Sequence, residues 1–229
     1  MAARYDGHAQ WYDQTFVEYG DLERAGSSSA QLADLLGAGE GWCLDVACGT
    51  GLHFPAIAST GRRVIGVDIS RDQLIVARRR SAIVVRGDAA ALPFRSGCFP
   101  AVVCTYLHTD AEDMRPVFRE VFRVLRSGGR FVYLGVHPCF RGHFVDVSAS
   151  DRRVVLPGYW ETGWRARKVG PTSEMRRRVG ARHVTLTELL GALLDSGLRL
   201  VRVDEGDVRE PFAERLGLVA VRDHAERRP

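Results

Sequence analysis

Residues Trp42-Cys43-Leu44-Asp45-Val46 form a short apolar run that stops at Ala47-Cys48-Gly49-Thr50-Gly51. No other feature constrains the chain as much. A run of that length ending in glycines reads as a buried strand entering a turn, where the backbone passes close to a neighbour. Leu52 to Ser59 then reads as a helix. Strand, glycine turn and helix make the first half of a βαβ unit, and such units build parallel sheets.

The alternation continues. Arg63 to Val67 is strand-like and ends at Asp68. Ser70 can cap a helix running through Arg80, with Asp72 in the first turn, where the helix dipole favours an anion. Ala82 to Val85 is the next strand, and Gly87 to Pro100 is a loop too broken for a crossover helix. Ala101 to Tyr106 is a strand, and Met114 to Leu125 presents Val117, Phe118, Val121, Phe122, Val124 and Leu125 on one helical face. Ser127-Gly128-Gly129 reads as a stop and turn before a strand at Arg130 to Val136. Residues 138 to 183 show little periodicity, and a helix at Thr187 to Ser196 precedes strands at Leu198 to Val203 and Leu216 to Val221. Ser27-Ser28-Ser29 reads as the N-cap of an earlier helix through Leu36. The class is α/β, with a doubly wound, mostly parallel sheet in a single domain.

Composition agrees. A chain of 229 residues that is 45% hydrophobic and 26% charged can bury one α/β core and is not disordered. No apolar stretch is long enough to span a bilayer, and MAARYDGHAQWYDQTF has no apolar signal-peptide region. The five cysteines include no C-x-x-C pair, so reduced thiols, a cytoplasmic location and no metal are expected. The net charge of +4 permits nucleic-acid binding without arguing for it. Residues 151–182 hold nine basic against three acidic residues, more than the whole excess.

Three carboxylates fall at consecutive strand ends: Asp45 just before the glycine turn, Asp68, and Asp88 in Arg86-Gly87-Asp88-Ala89. Open α/β sheets bind ligands at that edge. Phe54 stands where a dinucleotide fingerprint has its third glycine, and Asp45 would repel a pyrophosphate, so a dehydrogenase is disfavoured. Carboxylates in these places suit an amine, a ribose and an adenine amino group.

The chain resembles the class I S-adenosylmethionine (SAM)-dependent methyltransferases, in the group similar to ubiquinone-biosynthesis enzymes. The resemblance is carried by LDVACGTG at 44–51, VIGVDIS at 64–70, VVRGDAAALPF at 84–94, AVVCTYLHTD at 101–110 and VLRSGGRFVYLGVHP at 124–138. It implies a Rossmann-like seven-stranded sheet of order 3-2-1-4-5-7-6 with the last strand antiparallel. It further implies an N-terminal helical cap at 1–38, a SAM-binding core at 39–137, a substrate lid at 138–184 and a closing helix and strands at 185–229. By resemblance, Ala47, Gly49 and Gly51 abut the methionine part of SAM, and Asp45 helps hold its amino group. Asp68 binds the ribose, Ile69 and Gln73 flank the cofactor, and Asp88 and Ala89 read the adenine edge. Thr105 and Tyr106 line the cleft near the sulfonium, and Tyr12 closes over it from the cap. Phe99-Pro100 departs from the family's Phe-Asp, so a changed turn is expected there.

Methyl transfer from a sulfonium is an in-line displacement that needs alignment, and needs a base only when the acceptor must lose a proton. Candidate bases are His108, His137 and His143, all at or just beyond strand ends. Tyr5, His8 and Tyr19 from the cap, and Phe140, Tyr159, Trp160 and Trp164 from the lid, are candidate substrate contacts. Aromatics at two edges of a cleft suit a flat, apolar acceptor. The expected partner is a small aromatic or heteroaromatic metabolite methylated at C, O or N, in bacterial secondary metabolism, with no membrane partner and a monomer or homodimer as the unit. Two alternatives are an RNA or other nucleic-acid methyltransferase using Arg165, Arg167, Lys168, Arg176, Arg177 and Arg178, and a non-catalytic SAM-binding protein. Against the first, Thr105-Tyr106-Leu107-His108 stands where base-methylating members carry an Asn/Asp-Pro-Pro-Tyr motif.

Overall fold

The apolar run 42–46 is the central strand of a seven-stranded sheet in the computed structural model, which describes residues 3–18, 27–80, 83–149, 151–165, 178–206 and 212–224. The elements in chain order begin with α1 (Ala9–Glu18), α2 (Ser28–Leu36), β1 (Trp42–Val46), α3 (Phe54–Ser59), β2 (Arg63–Asp68) and α4 (Arg71–Ala77). Next come β3 (Val84–Arg86), β4 (Phe99–Thr105), a 3-10 turn at Leu107–Thr109, α5 (Met114–Val124) and β5 (Leu125–Val136). Short strands β6 (Val145–Asp146), β7 (Val154–Val155), β8 (Gly163–Arg165) and β9 (Ala181–His183) precede α6 (Leu186–Leu194), β10 (Arg199–Asp204) and β11 (Arg215–Val221).

The sheet order is β10-β11-β5-β4-β1-β2-β3. The five strands β3, β2, β1, β4 and β5 run parallel, and β11 lies antiparallel between β5 and β10. This is the expected Rossmann-like order. Strand alternation explains the two layers. Leu44, Val46, Val102, Cys104, Phe131 and Tyr133 face α5 and α6, packing with Phe118, Val121, Leu189 and Leu193. Cys43, Ala101, Val103, Val132 and Leu134 face the other way, onto Leu32, Leu35, Leu36, Phe54 and Ile57 of α2 and α3.

Local signals set the helix ends. The Ser27 side chain accepts from the Ala30 N–H, Ser70 from Gln73 and Asp113 from Arg115. Thr185 and Glu188 form a reciprocal capping box that starts α6.

Two expectations are refined. Strand β5 begins at Leu125, and Ser127-Gly128-Gly129 is an excursion within it. The partner of Phe99 is Leu125, but that of Ala101 is Arg130. Pro100 lies at the skipped position, where it has no N–H to donate. Gly128 N–H donates to Arg222 O and Arg222 N–H to Gly129 O, so the excursion is paired to the chain after β11. The aperiodic stretch after His137 holds two small antiparallel ladders, β6–β7 and β8–β9. Each is only two or three residues long, too short for a period to register.

Phe118 is fully buried, with its ring edge-on to Phe131 at 5.7 Å and to Tyr133 at 6.0 Å. Phe118→Ala is expected to lower unfolding free energy by about 3–5 kcal/mol, read from the urea midpoint at unchanged slope. A loss below about 1 kcal/mol would show that this face of the sheet is loosely packed.

Candidate active site

The candidate site lies outside the carboxyl ends of the parallel strands, beyond β1 and its neighbours β2 and β4. The backbone there is held in sparsely populated conformations. Ala47 after β1 and Tyr106 after β4 are the described non-glycine residues with positive φ, at 58° and 56°. Each costs on the order of 1–3 kcal/mol and persists only because the surroundings enforce it. Gly49 and Gly51 are also left-handed, at φ 55° and 77°. A Cβ at Gly51 would stand 2.5 Å from the Phe54 ring, so the turn is packed directly onto α3.

Asp68 ties this turn together. Its Oδ2 accepts the Gly49 N–H at 2.9 Å and its Oδ1 the Ser70 N–H at 2.8 Å. Burial raises its pKa, and those backbone donors oppose the rise. A carboxylate has about four acceptor positions, so two bonds leave capacity for a ligand's hydroxyls. Asp45 is different. It is 1% exposed, and among the described residues neither oxygen has a hydrogen-bond partner. Burial, then the nearby Asp68 charge, pushes its pKa well above the carboxylate range. Its strand neighbours are Gly66 and Val103. A buried carboxylate without a partner is costly in a closed core and is satisfied by an incoming cation.

The other expected cofactor residues line the same edge. Gln73, in the first turn of α4, is buried with its Oε1 unpartnered and is the side chain nearest a Cβ built on Gly49, at 3.6 Å. Ile69 is 53% exposed at the end of β2. Asp88 is exposed, and its Oδ1 accepts the Ala90 N–H at 2.8 Å, with half-buried Ala89 between them. Thr105 is half-buried and pairs with Leu134 of β5.

The N-terminal cap is fastened onto this edge. Ser70 Oγ donates to Asp6 at 2.6 Å, and Gly7 N–H donates to Asp72 at 2.8 Å. Arg80 pairs with Asp13 at 2.9 Å and donates to Thr50 O in the glycine turn at 3.1 Å. Tyr5 Oη donates to Asp110 at 3.1 Å, beyond β4. The Tyr12 ring packs against Tyr5 and Phe16, and His8 O accepts the Tyr12 N–H. Tyr19 lies outside the described residues.

The three candidate bases are placed differently from one another. His108 is 2% exposed, inside the core, with Nδ1 hydrogen-bonded to Tyr133 Oη. His137 is 3% exposed. Its Nδ1 accepts the Cys139 N–H at 3.1 Å, so Nε2 carries the proton donated to Glu205 at 2.9 Å. Both nitrogens of His137 thus brace the end of β5, and burial, only partly opposed by Glu205, lowers its pKa. His143 is half-buried, 3.9 Å from Glu161.

The 138–184 segment is organised around a residue that no sequence signal flagged. His183, in β9, donates or accepts at Tyr159 O over 2.8 Å; as that oxygen only accepts, Nε2 is the donor. The His183 ring lies 4.9 Å from Phe144, 5.4 Å from Tyr159 and 5.7 Å from His143. Tyr159 Oη accepts the Leu186 N–H at the start of α6. Phe140 packs on His137, and Trp160 is exposed. Trp164 stacks under the Arg4 guanidinium at 3.4 Å, and Trp11 under that of Arg178 at 4.3 Å. Cap and lid therefore touch. The basic residues Arg167, Lys168, Arg176 and Arg177 lie outside the described residues, as does the side chain of Arg165. Among the described residues, no cluster of three or more His, Cys, Asp or Glu side chains is placed to hold a metal ion.

Comparison with known proteins decides the family. Residues 44–133 match the family described as "Methyltransferase domain". A demethylmenaquinone methyltransferase of Renibacterium salmoninarum is 33% identical over 163 residues, which is 69% of this chain and 67% of the relative. The chain belongs to the class I SAM-dependent methyltransferases. A second demethylmenaquinone methyltransferase, from Mycobacterium marinum, is 32% identical over 134 residues, 58% of this chain and 57% of the relative. The match thus spans little more than half of that relative's length. An S-adenosylmethionine-dependent methyltransferase structure from Mesorhizobium loti superposes with a TM-score of 0.68 at 24% identity, over 88% of this chain and 100% of the other. That likeness concerns the fold.

His53, at the entry to α3, makes a measurable prediction for this methyltransferase. Its Nδ1 lies 3.1 Å from Ser29 Oγ, and burial pushes its pKa from 6.5 down to about 4. The folded protein therefore binds fewer protons than the unfolded chain between those values. Stability is full above the unfolded pKa and is lost as pH falls toward the folded one, by about 2 kcal/mol at about pH 5. His53→Gln is expected to flatten that dependence. Urea unfolding near neutrality and near pH 5 checks it, and parallel losses in both proteins would show that His53 is not the source.

Proposed function

We propose that this chain transfers a methyl group from SAM to a flat, apolar acceptor of quinone type. Asp45 carries the cofactor half of the reading, as a buried carboxylate with no internal partner at the foot of the glycine turn. An α-amino group there would receive the charge partner that the protein itself withholds. Asp68 would take ribose hydroxyls on its remaining lone pairs, Gly49 and Gly51 would let the backbone approach, and Asp88 and Ala89 would border the adenine. Ile69 and Gln73 would flank it, with Thr105, Tyr106 and Tyr12 closing the methionine side. When bound, SAM supplies an electrophilic methyl group on a sulfonium.

The chain's own part is to align and to dry the site. Residues 1–38 serve as cap, 39–137 as cofactor core, 138–184 as lid and 185–229 as the closing elements. Tyr5 and His8 from the cap, with Phe140, Tyr159 and Trp164 from the lid, are proposed to sandwich the acceptor. The names of the relatives favour a quinone-type ring over other aromatic acceptors. His143 is the proposed proton acceptor, because its side chain is 22% exposed, with Nε2 buried toward Glu161, whereas those of His108 and His137 are buried. His137 and His108 are proposed as positioning residues that hold the ends of β5 and β4.

Binding of the cofactor's ammonium should draw Asp45 back into its ionised form. The proton it holds in the free protein is then released, so affinity should rise with pH above the ordinary carboxylate range. Calorimetry in buffers of different ionisation enthalpy should read that release, and Asp45→Asn should abolish it while weakening binding at least about tenfold. Asp68→Ala should weaken binding comparably. An Asp68→Ala protein that binds SAM normally would sink the cofactor assignment. Formation of S-adenosylhomocysteine with a reduced, demethylated naphthoquinone tests the acceptor. His143→Gln should lower kcat about 10²-fold and remove the acidic limb of its pH profile. No turnover above background with any flat aromatic acceptor would overturn the acceptor class.

A further inference from the structure

The N-terminal segment is attached to both ends of α4. At the start of that helix, Ser70 Oγ donates to Asp6 and Gly7 N–H donates to Asp72. Beyond its other end the chain tightens into i to i−3 bonds, Arg79 N–H to Val76 O at 3.0 Å and Arg80 N–H to Ala77 O at 2.9 Å. The Arg80 guanidinium there faces Asp13 of α1 with both terminal nitrogens. Nη1 lies 2.9 Å from Oδ1, and Nη2 donates to Oδ2 at 3.0 Å. A planar guanidinium held at two points by a carboxylate has little orientational freedom left. The two side chains are 22% and 16% exposed, so solvent and salt screen this pair less than an ordinary surface pair.

The same guanidinium reaches the glycine turn. Its Nη1 donates to Thr50 O at 3.1 Å. Thr50 is 1% exposed and stands between Gly49 and Gly51, the two left-handed glycines. Asp68 accepts the N–H of Gly49, the residue just before it. The turn is thus held by groups that flank α4 in sequence: a carboxylate on an amide before the helix, and a guanidinium on a carbonyl after it. Both holds continue into the N-terminal segment, from Asp68 through Ser70 to Asp6, and from Arg80 directly to Asp13.

The order of these contacts matters. A long arginine side chain must give up rotamer freedom to make one hydrogen bond to a carbonyl. With Asp13 docked, that freedom is already lost and the guanidinium is placed at Thr50 O in advance. With α1 undocked, the turn would keep only its Asp68 side.

We infer that Arg80 is a positioning residue that couples docking of α1 to cofactor binding at the glycine turn. Coupling is reciprocal, so a cofactor that requires the turn in this geometry must in return steady α1. The inference deepens the proposed function and rests on its placement of SAM at Gly49 and Gly51. Neither Arg80 nor Asp13 is assigned a contact with cofactor or acceptor.

The test uses the whole chain and S-adenosylhomocysteine, with affinity read by calorimetry and α1 by hydrogen exchange of its amides. In the native protein, saturating S-adenosylhomocysteine should slow exchange across α1 at least about fivefold. Arg80→Met should bind about five- to tenfold more weakly and lose that slowing. Asp13→Ala should lose the slowing as well and bind about threefold more weakly. The double variant should bind no more weakly than Arg80→Met alone, because Asp13 acts through Arg80. A merely structural role would lower the thermal midpoints and leave the cofactor-dependent slowing in place. Retained slowing, native-like affinity in both single variants, or additive losses in the double variant would overturn the inference and leave the cofactor reading intact. Absence of S-adenosylhomocysteine binding by the native protein would strike the cofactor reading itself, and this inference with it. Should Arg80→Met fold poorly, Asp13→Ala carries the test, since alanine suits a helix interior.

Discussion

The Asp68 carboxylate is the contact on which the site depends. It accepts one backbone N–H from the glycine turn after β1 and another from the start of α4. Two neighbouring strand ends are thereby tied together around one half-buried carboxylate. Ser70, whose N–H it receives, caps α4 through its hydroxyl and donates that same hydroxyl's proton to Asp6 of the cap. Strand, turn, helix and cap thus meet within two residues. Charge-assisted bonds to backbone N–H groups are about twice as strong as neutral ones, which is what a turn with left-handed residues requires. Losing this carboxylate would release the geometry of Gly49 before it removed any ligand contact.

Asp45 and Asp68 show how burial divides two carboxylates between roles. Both are raised in pKa by desolvation; the Asp68 charge adds to the rise at Asp45, and the Asp110 charge to that at Asp68. Asp68 offsets its burial with backbone donors. Asp45 has none among the described residues, so its burial is not offset in this way. The donors around them, together with the deeper burial of Asp45, distinguish the two carboxylates.

That distinction marks how far the sequence could be read. The sheet was legible because apolar runs, glycines and helix caps are local signals, and Ser27, Ser70 and Thr187's neighbour Thr185 lie at or within two residues of the predicted starts. The strand-end carboxylates were legible because their positions follow from the strand ends. Side-chain direction was not. His108 reads as a crevice residue because it follows β4, yet the left-handed Tyr106 turns the chain so that His108 meets Tyr133 inside the core. His137 reads as a base, but Glu205 occupies one of its nitrogens from a segment 68 residues away. His183 and the lid ladders depend on pairings across the least periodic part of the chain. Each of these misses is a long-range contact that no local pattern encodes.

The same reasoning bears on how the site would open. Cap and lid meet through Arg4 on Trp164 and Arg178 on Trp11. Cation–π contacts at exposed sites are worth about 0.5–1 kcal/mol each, so these two contribute about 1–2 kcal/mol. The cap's other attachments run to the core, through Asp6, Gly7 and Asp13. The lid's run to α6 and to the 212–214 segment, through Tyr159 and Arg153. Among the described residues, each segment thus has more polar attachments to the body than to the other. A contact of about 1–2 kcal/mol shifts a two-state equilibrium only about five- to thirtyfold. Contacts this weak leave the two segments free to part, which a salt bridge network between them would not permit.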